Sequence, residues 1–144
     1  FEDFISKPSV KDTKVILMGF SLGGNLALKI GINNQEQIDG MVLEGAFTDQ
    51  KSIAAERTPF PMKFSAKMIV KNFVKGKELI QEWMKPLLII HSEDDVVCPY
   101  YMGKELYELA ESPKKEFWSI KGKHLAGMAL NYDTYIGKVS RLLD

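Results

Sequence analysis

One stretch constrains this chain more than any other: Gly19-Phe20-Ser21-Leu22-Gly23-Gly24. The apolar run Val15-Ile16-Leu17-Met18 enters it, and the helix-like run Asn25-Leu26-Ala27-Leu28-Lys29-Ile30 leaves it. A strand that passes through G-x-S-x-G straight into a helix must bend sharply, and it needs small residues on both sides of the serine. Gly19 and Gly23 meet that need and let the helix pack close to the sheet. The serine is left at the tip, beside a helix N-terminus, with its hydroxyl exposed. The next amide, that of Leu22, then points at any oxyanion formed there. Ser21 is the candidate nucleophile, and the rest of the chain can be tested for what a nucleophilic serine requires.

A serine hydroxyl is too weak an acid to attack a carbonyl at neutral pH unless a base takes its proton and a carboxylate orients that base. The chain has only 2 histidines. His91 closes an apolar run, Leu87-Leu88-Ile89-Ile90, at the end of a strand. His124 lies in Lys121-Gly122-Lys123-His124-Leu125-Ala126-Gly127, a loop after a later strand, where folds of alternating strands and helices place their sites. It also follows the serine and the candidate acids in chain order. The acid should come after the third strand, where Glu93, Asp94 and Asp95 stand in a row. Like charges repel, so one is expected to turn inward. Asp95 lies four residues after His91 and four before Pro99. Asp94 is its rival, and a solvated turn residue is the plain alternative for Asp94 and Glu93.

Read in order, the chain predicts the end of an amphipathic helix at 1–5, a strand over 14–20 buried on both faces, and a helix over 24–32 with Leu26 and Ile30 on one side. A strand within 38–47 follows, then a strand over 86–91 and a helix over 100–110. A short strand at 116–120 and a helix over 130–143 complete it. Strands alternating with helices imply an α/β fold, a doubly wound, mostly parallel sheet built from right-handed crossovers. Residues 48–85 stand apart as an insert within this pattern. Pro59 and Pro61 flank Phe60, and Met62, Phe64, Met68, Ile69, Phe73 and Val74 follow. Lysines recur at 63, 67, 71 and 75, which on a helix form one basic stripe. That segment reads either as a solvated helix over the core or as a lid over the site, with 62–75 able to touch a lipid surface or an acyl chain. Phe20, Phe60 and Met68 are candidate substrate contacts.

Charge is balanced, 19 basic against 19 acidic residues, so there is no global field to attract nucleic acid. Cys98 is alone, which leaves no disulfide within the chain and no cysteine metal site, and fits a reducing, cytoplasmic setting. No apolar run approaches the ~18 residues that span a bilayer.

Taken together, Gly-Phe-Ser-Leu-Gly-Gly, His-Ser-Glu-Asp-Asp-Val-Val-Cys-Pro and Ile-Lys-Gly-Lys-His resemble the α/β-hydrolase superfamily. Within it they are most similar to the Bem46-like serine hydrolases, also described as serine aminopeptidase-type or prolyl-oligopeptidase-like. The resemblance implies Ser21 as nucleophile, Asp95 as the acid, His124 as the base and His91 as a structural residue. Ser92 departs from the usual glycine, and Cys98 replaces a usual valine as a small core residue. It also implies that residues 1–144 form the carboxyl-terminal half of one domain, with the last four strands. The second oxyanion donor then lies outside the chain, and strand 14–20 presents an open edge able to self-associate or to pair with a completing chain. The expected activity is cleavage of a carboxylic ester or thioester with a small acyl substrate, without metal or cofactor. Amide hydrolysis of the aminopeptidase type is the alternative, and a non-catalytic module completed by another chain is the second.

Overall fold

The computed structural model describes residues 1–62, 65, 68–71 and 74–144. Its centre is a sheet of four parallel strands in the order β1 (Ile16–Phe20), β2 (Gly40–Glu44), β3 (Leu87–Ser92) and β4 (Lys115–Ile120). All four strands run the same way, so their carboxyl ends, at Phe20, Glu44, Ser92 and Ile120, share one end of the sheet.

Alternation along the strands sorts the core into two layers, as a pleat of period two requires. On one face Met41, Leu43, Leu87 and Ile89 pack with Ala27, Leu28, Ile80, Trp83 and Leu106. Those partners come from α2 (Leu22–Asn33), α4 (Gly76–Glu82) and α5 (Tyr100–Leu109), with Trp83 immediately after α4. On the other face Val42, Leu88 and Ile90 meet Tyr135 and Leu142 of α7 (Tyr132–Leu142). Helices cover both faces, which is the doubly wound α/β arrangement. Among the shorter elements are helices α1 (Glu2–Ile5), α3 (Gln50–Arg57) and α6 (Gly127–Leu130) and a 3-10 turn at Gln35–Gln37. Asp49 caps α3, its carboxylate accepting from Ser52 N–H at 2.9 Å. No described helix is long and apolar enough to cross a membrane.

Several expectations are corrected. Strand β1 is only half-buried over Ile16–Met18, whereas every residue of β2 and β3 is buried. The reason is position: β1 is the edge strand, with a neighbour on one side only. Helix α2 starts at Leu22, directly after the serine, and its apolar stripe points outward. Leu22, Leu26 and Ile30 are exposed, while Gly24, Ala27, Leu28 and Gly31 are buried. β2 ends at Glu44 because Gly45 turns the chain with φ +59°. The expected carboxyl-terminal helix over 130–143 is α7, which starts two residues later, with the separate short α6 before it. Lys63, Phe64, Lys67 and Phe73 lie outside the described residues. Lys71 and Lys75 lie in no helix, and Lys75 pairs with Glu78 at 2.9 Å, so the lysine series is not one helical stripe through to 75.

The close approach at the turn belongs to Gly19, as expected, and to Gly24 in place of Gly23. A Cβ on Gly19 would lie 2.5 Å from Gly24 Cα and 2.8 Å from Ala27 Cβ, and one on Gly24 would lie 2.8 Å from Ala46 Cβ. Around Gly23 there is open space. Gly19→Ala is therefore expected to destabilise the protein by about 1–3 kcal/mol through overpacking. Gly23→Ala, in a helix with room for a methyl, should be neutral or stabilising by up to ~1 kcal/mol. Denaturant melts of the two variants would check this, and equal losses would contradict it.

Candidate active site

The turn after β1 places Ser21 as the N-cap of α2 with φ 50° and ψ −124°. A non-glycine residue at positive φ is strained by about 1–3 kcal/mol and persists only where its surroundings hold it. Here Ser21 N–H donates to Glu44 C=O at 2.9 Å, and Ser21 C=O accepts from Gly24 N–H at 2.9 Å. One turn on, Asn25 is fully buried and its amide donates to Phe47 C=O at 2.7 Å, tying α2 to the chain beyond β2. Leu22 N–H is the first of the helix and has no acceptor within it.

The turn after β3 holds the acid. Asp95 Oδ1 accepts the N–H groups of Val97 and Cys98, each at 2.8 Å, and Oδ2 accepts from His124 Nδ1 at 2.6 Å. The Asp95 side chain is fully buried, and that of His124 keeps 16% exposure. With Nδ1–H given to the carboxylate, Nε2 of His124 carries the free lone pair, the form a general base needs. The ring lies against the bend at Gly45, where a Cβ would come within 2.8 Å of Cε1 and 3.1 Å of Nδ1. Gly45 follows Glu44, the residue that holds Ser21 N–H. Serine turn and histidine loop thus meet over the same end of β2.

The other two acids of the row are exposed turn residues, and each also accepts a hydrogen bond from the end of β4 or the histidine loop. Glu93 accepts from Ser119 Oγ at 2.6 Å and pairs with Lys121, and Asp94 Oδ2 accepts Gly122 N–H at 3.0 Å. Ser92, in place of a glycine, donates its hydroxyl to Gly122 C=O. Residues 92–95 therefore all bond to the end of β4 or to the histidine loop: Ser92 and Asp94 to Gly122, Glu93 to Ser119 and Lys121, Asp95 to His124. Lys121 and Ser119 hold the exposed Glu93 carboxyl below its ordinary value. Sequence reasoning missed these clamps. Nothing local in the sequence fixes the pairing of two turns.

His91 is fully buried, and its Nε2–H donates to Cys98 C=O at 2.8 Å, with Asp95 Oδ2 3.6 Å away. Burial holds its imidazole below the ordinary value, so it is neutral and structural. Cys98 is buried with Phe47 and Met102. Burial and then the Asp95 charge push its thiol up to about 11, against a smaller opposing effect of the Ser21 side chain. Phe20 sits at the turn with 40% exposure, while Phe60 and Met68 stand in solvent at 79% and 85%. Among the described residues no group of His, Cys, Asp and Glu could hold a metal ion.

The geometry can be set beside known proteins. The esterase Pf2001 of Pyrococcus furiosus superposes with a TM-score of 0.77 at 16% identity, over 99% of this chain and 57% of that one. The monoacylglycerol lipase of Paleococcus ferrophilus does so with a TM-score of 0.67 at 15% identity, over 99% and 72%. The chain has the α/β-hydrolase fold. In sequence it is 28% identical over 121 residues to the uncharacterised protein YfhR of Escherichia coli O157:H7, and 26% identical over 118 residues to the protein bem46 of Schizosaccharomyces pombe. It is 29% identical over 124 residues to the lysophosphatidylserine lipase ABHD12 of Rattus norvegicus. These matches cover 83%, 82% and 76% of the chain, and 41%, 40% and 31% of the relatives, so the chain spans well under half their length. No protein-family model matches.

The buried thiol supplies a test. A group whose folded pKa is raised stabilises the fold fully below its unfolded value and loses that contribution as pH rises. Stability from Cys98 should therefore decline between pH 9.0 and about 11. Cys98→Ala should flatten that decline in denaturant melts taken across the window. In the native protein at pH 8 Cys98 should resist a thiol reagent that labels it fully after unfolding, and rapid native labelling would contradict the assignment.

Proposed function

We propose that the intact protein is a serine hydrolase that cleaves a carboxylic ester through an acyl-enzyme. The observation that carries the proposal is the Asp95–His124 hydrogen bond of 2.6 Å, made at the sheet end where Ser21 is held at positive φ. In this reading Ser21 Oγ attacks the carbonyl carbon while its proton passes to His124 Nε2. The developing oxyanion is received by Leu22 N–H, at the positive end of α2. The imidazolium, stabilised by Asp95, returns the proton to the leaving oxygen as the C–O bond breaks. Water, deprotonated by the same imidazole, then attacks the acyl carbon, which releases the acid and restores Ser21.

The names of similar proteins favour an ester over an amide: an esterase and a monoacylglycerol lipase in fold, and a lysophosphatidylserine lipase in sequence. The similarity to bem46 supports a Bem46-like assignment within the superfamily. The reading includes three further elements. Residues 1–144 act as the carboxyl-terminal half of one hydrolase domain, with the second oxyanion donor supplied from outside the chain. The part of segment 48–85 that precedes α4 acts as a lid, with Phe60 and Met68 closing on the acyl group, while α4 and Trp83 belong to the core. Further strands, of the same polypeptide or of another copy, cover the edge of β1.

A fluorophosphonate probe should label the intact protein, and Ser21→Ala should abolish labelling. Asp95→Asn should lower turnover of an activated ester by about 10³–10⁴, because the imidazole loses its orienting charge and tautomer. Asp94→Asn keeps an oxygen for Gly122 N–H and should cost less than about 10-fold. A folded protein that neither labels nor turns over would end the hydrolase reading, and a reversed ranking of the two variants would transfer the acid to Asp94.

A further inference from the structure

Strand β2 reads Gly40-Met41-Val42-Leu43-Glu44, and the last of these is a carboxylate only 2% exposed. Its neighbours suit a buried central strand and it does not. A carboxylate taken out of water costs several kcal/mol unless hydrogen bonds replace its hydration. An apolar residue at that position would fill the space without that cost. What the carboxylate does is visible in its contacts. Oε1 accepts the Gly127 N–H at 2.8 Å, in a buried hydrogen bond between residues 83 positions apart. Gly127 is shaped to the contact: a Cβ there would lie 2.8 Å from Oε1 and 3.1 Å from Cδ of Glu44. Tyr135 of α7 packs behind, fully buried, with burial and then the Glu44 charge holding its phenol above the ordinary value.

Gly127 ends the loop that carries His124. That loop is irregular, with φ 108° at Gly122 and φ 60° at Leu125, so no helix or strand ladder holds the imidazole in place. On its leading side Gly122 is fixed by Ser92 and Asp94. On its trailing side the anchor is Glu44. The same residue touches the opposite component of the site through its main chain, because Glu44 C=O receives Ser21 N–H. Glu44 therefore joins, within one residue, the turn that bears the nucleophile and the loop that bears the base.

We infer that Glu44 is a positioning residue, whose buried carboxylate anchors the Gly127 end of the His124 loop and so fixes the imidazole between Asp95 and Ser21. This rests on the serine-hydrolase reading for its effect on turnover, but the anchoring itself can be measured without turnover. The titratable groups around the carboxylate are His91 in β3 and Tyr135 on α7, with His124 against the neighbouring Gly45. The anchoring depends on an oxygen at the right reach. Glu44→Gln keeps such an oxygen, Glu44→Leu keeps only the bulk, and Glu44→Asp keeps the charge but falls short by one methylene.

The experiment compares these three variants of the intact protein in two assays. The first is the downfield proton resonance of His124 Nδ1–H, assigned by its loss in His124→Gln. The second is kcat and KM for an activated ester. Glu44→Leu and Glu44→Asp should broaden or lose the resonance, and kcat should fall by about 10–100-fold with KM within about 2-fold, as expected when a reacting group is misplaced by about 1 Å. Glu44→Gln should restore the resonance and recover most of kcat. If Glu44→Leu does not fold, Glu44→Asp carries the test. A folded Glu44→Leu or Glu44→Asp with the wild-type resonance overturns the inference, whatever its activity. A wild-type protein with the resonance but no turnover would instead count against the hydrolase reading and leave the resonance comparison to decide on Glu44.

Discussion

The contact between Gly19 and Gly24 is the constraint on which the rest of this structure depends. It lets α2 begin on the residue after the serine and lie against β1 and the Ala46 methyl with almost no side chain between them. A helix packed that closely leaves the turn no room to relax, and Ser21 is held at φ 50° instead of falling back to an extended conformation. The strain is sustained by hydrogen bonds on both sides of the serine, to Glu44 and from Gly24. Because all four strands are parallel, the ends of β2, β3 and β4 arrive beside that turn as a matter of register. The site is then assembled from loops that the sheet delivers to one place, in the manner general to open α/β sheets.

What those loops need is stiffness, and they obtain it from carboxylates. Glu93, Asp94 and Asp95 each accept hydrogen bonds from the histidine loop or the strand leading to it, and Glu44 accepts one from its far end. The two buried members, Asp95 and Glu44, both take main-chain N–H donors. That choice matters energetically, since a backbone donor cannot rotate away and compensates desolvation at small entropic cost. Asp95 goes further: two backbone donors occupy one oxygen and leave the other free to face His124. The neutral His91, bonded to Cys98 C=O, keeps the intervening turn in shape without adding charge to the cluster.

This also explains which parts were legible in the amino-acid order. Ser21 was legible because the sharp turn demands glycine and because strand and helix patterns flank it. Asp95 and His124 were legible because few residue types can orient a base or act as one, and the chain offers a short row of acids and two imidazoles. Glu44 was not, because a single acid at the end of an apolar run gives no hint that its partner lies 83 residues away. The outward direction of the α2 stripe was not legible for a related reason. Periodicity alone does not say which face of a helix is buried: the close approach at Gly19 brings small Gly24 and Ala27 to the strand, Leu28 packs beside them in the core, and Leu22, Leu26 and Ile30 turn out. The partial burial of β1 follows from its place at the sheet edge, which strand order decides and local sequence does not.

The outward stripe and the open edge are parts of one surface, since α2 lies on β1. A strand laid parallel along β1 would end beside Phe20, as β2 does through its pairing of Phe20 with Glu44. The loop following such a strand would emerge next to Ser21 and the unbonded Leu22 N–H, while a helix covering the stripe would shield Leu22, Leu26 and Ile30 from water. Pairing the edge, burying the stripe and bringing a second donor to the oxyanion position are therefore geometrically linked. In a site built this way, the base and acid can be fully formed within the described strands, while the electrostatic reception of the oxyanion depends on what pairs with β1.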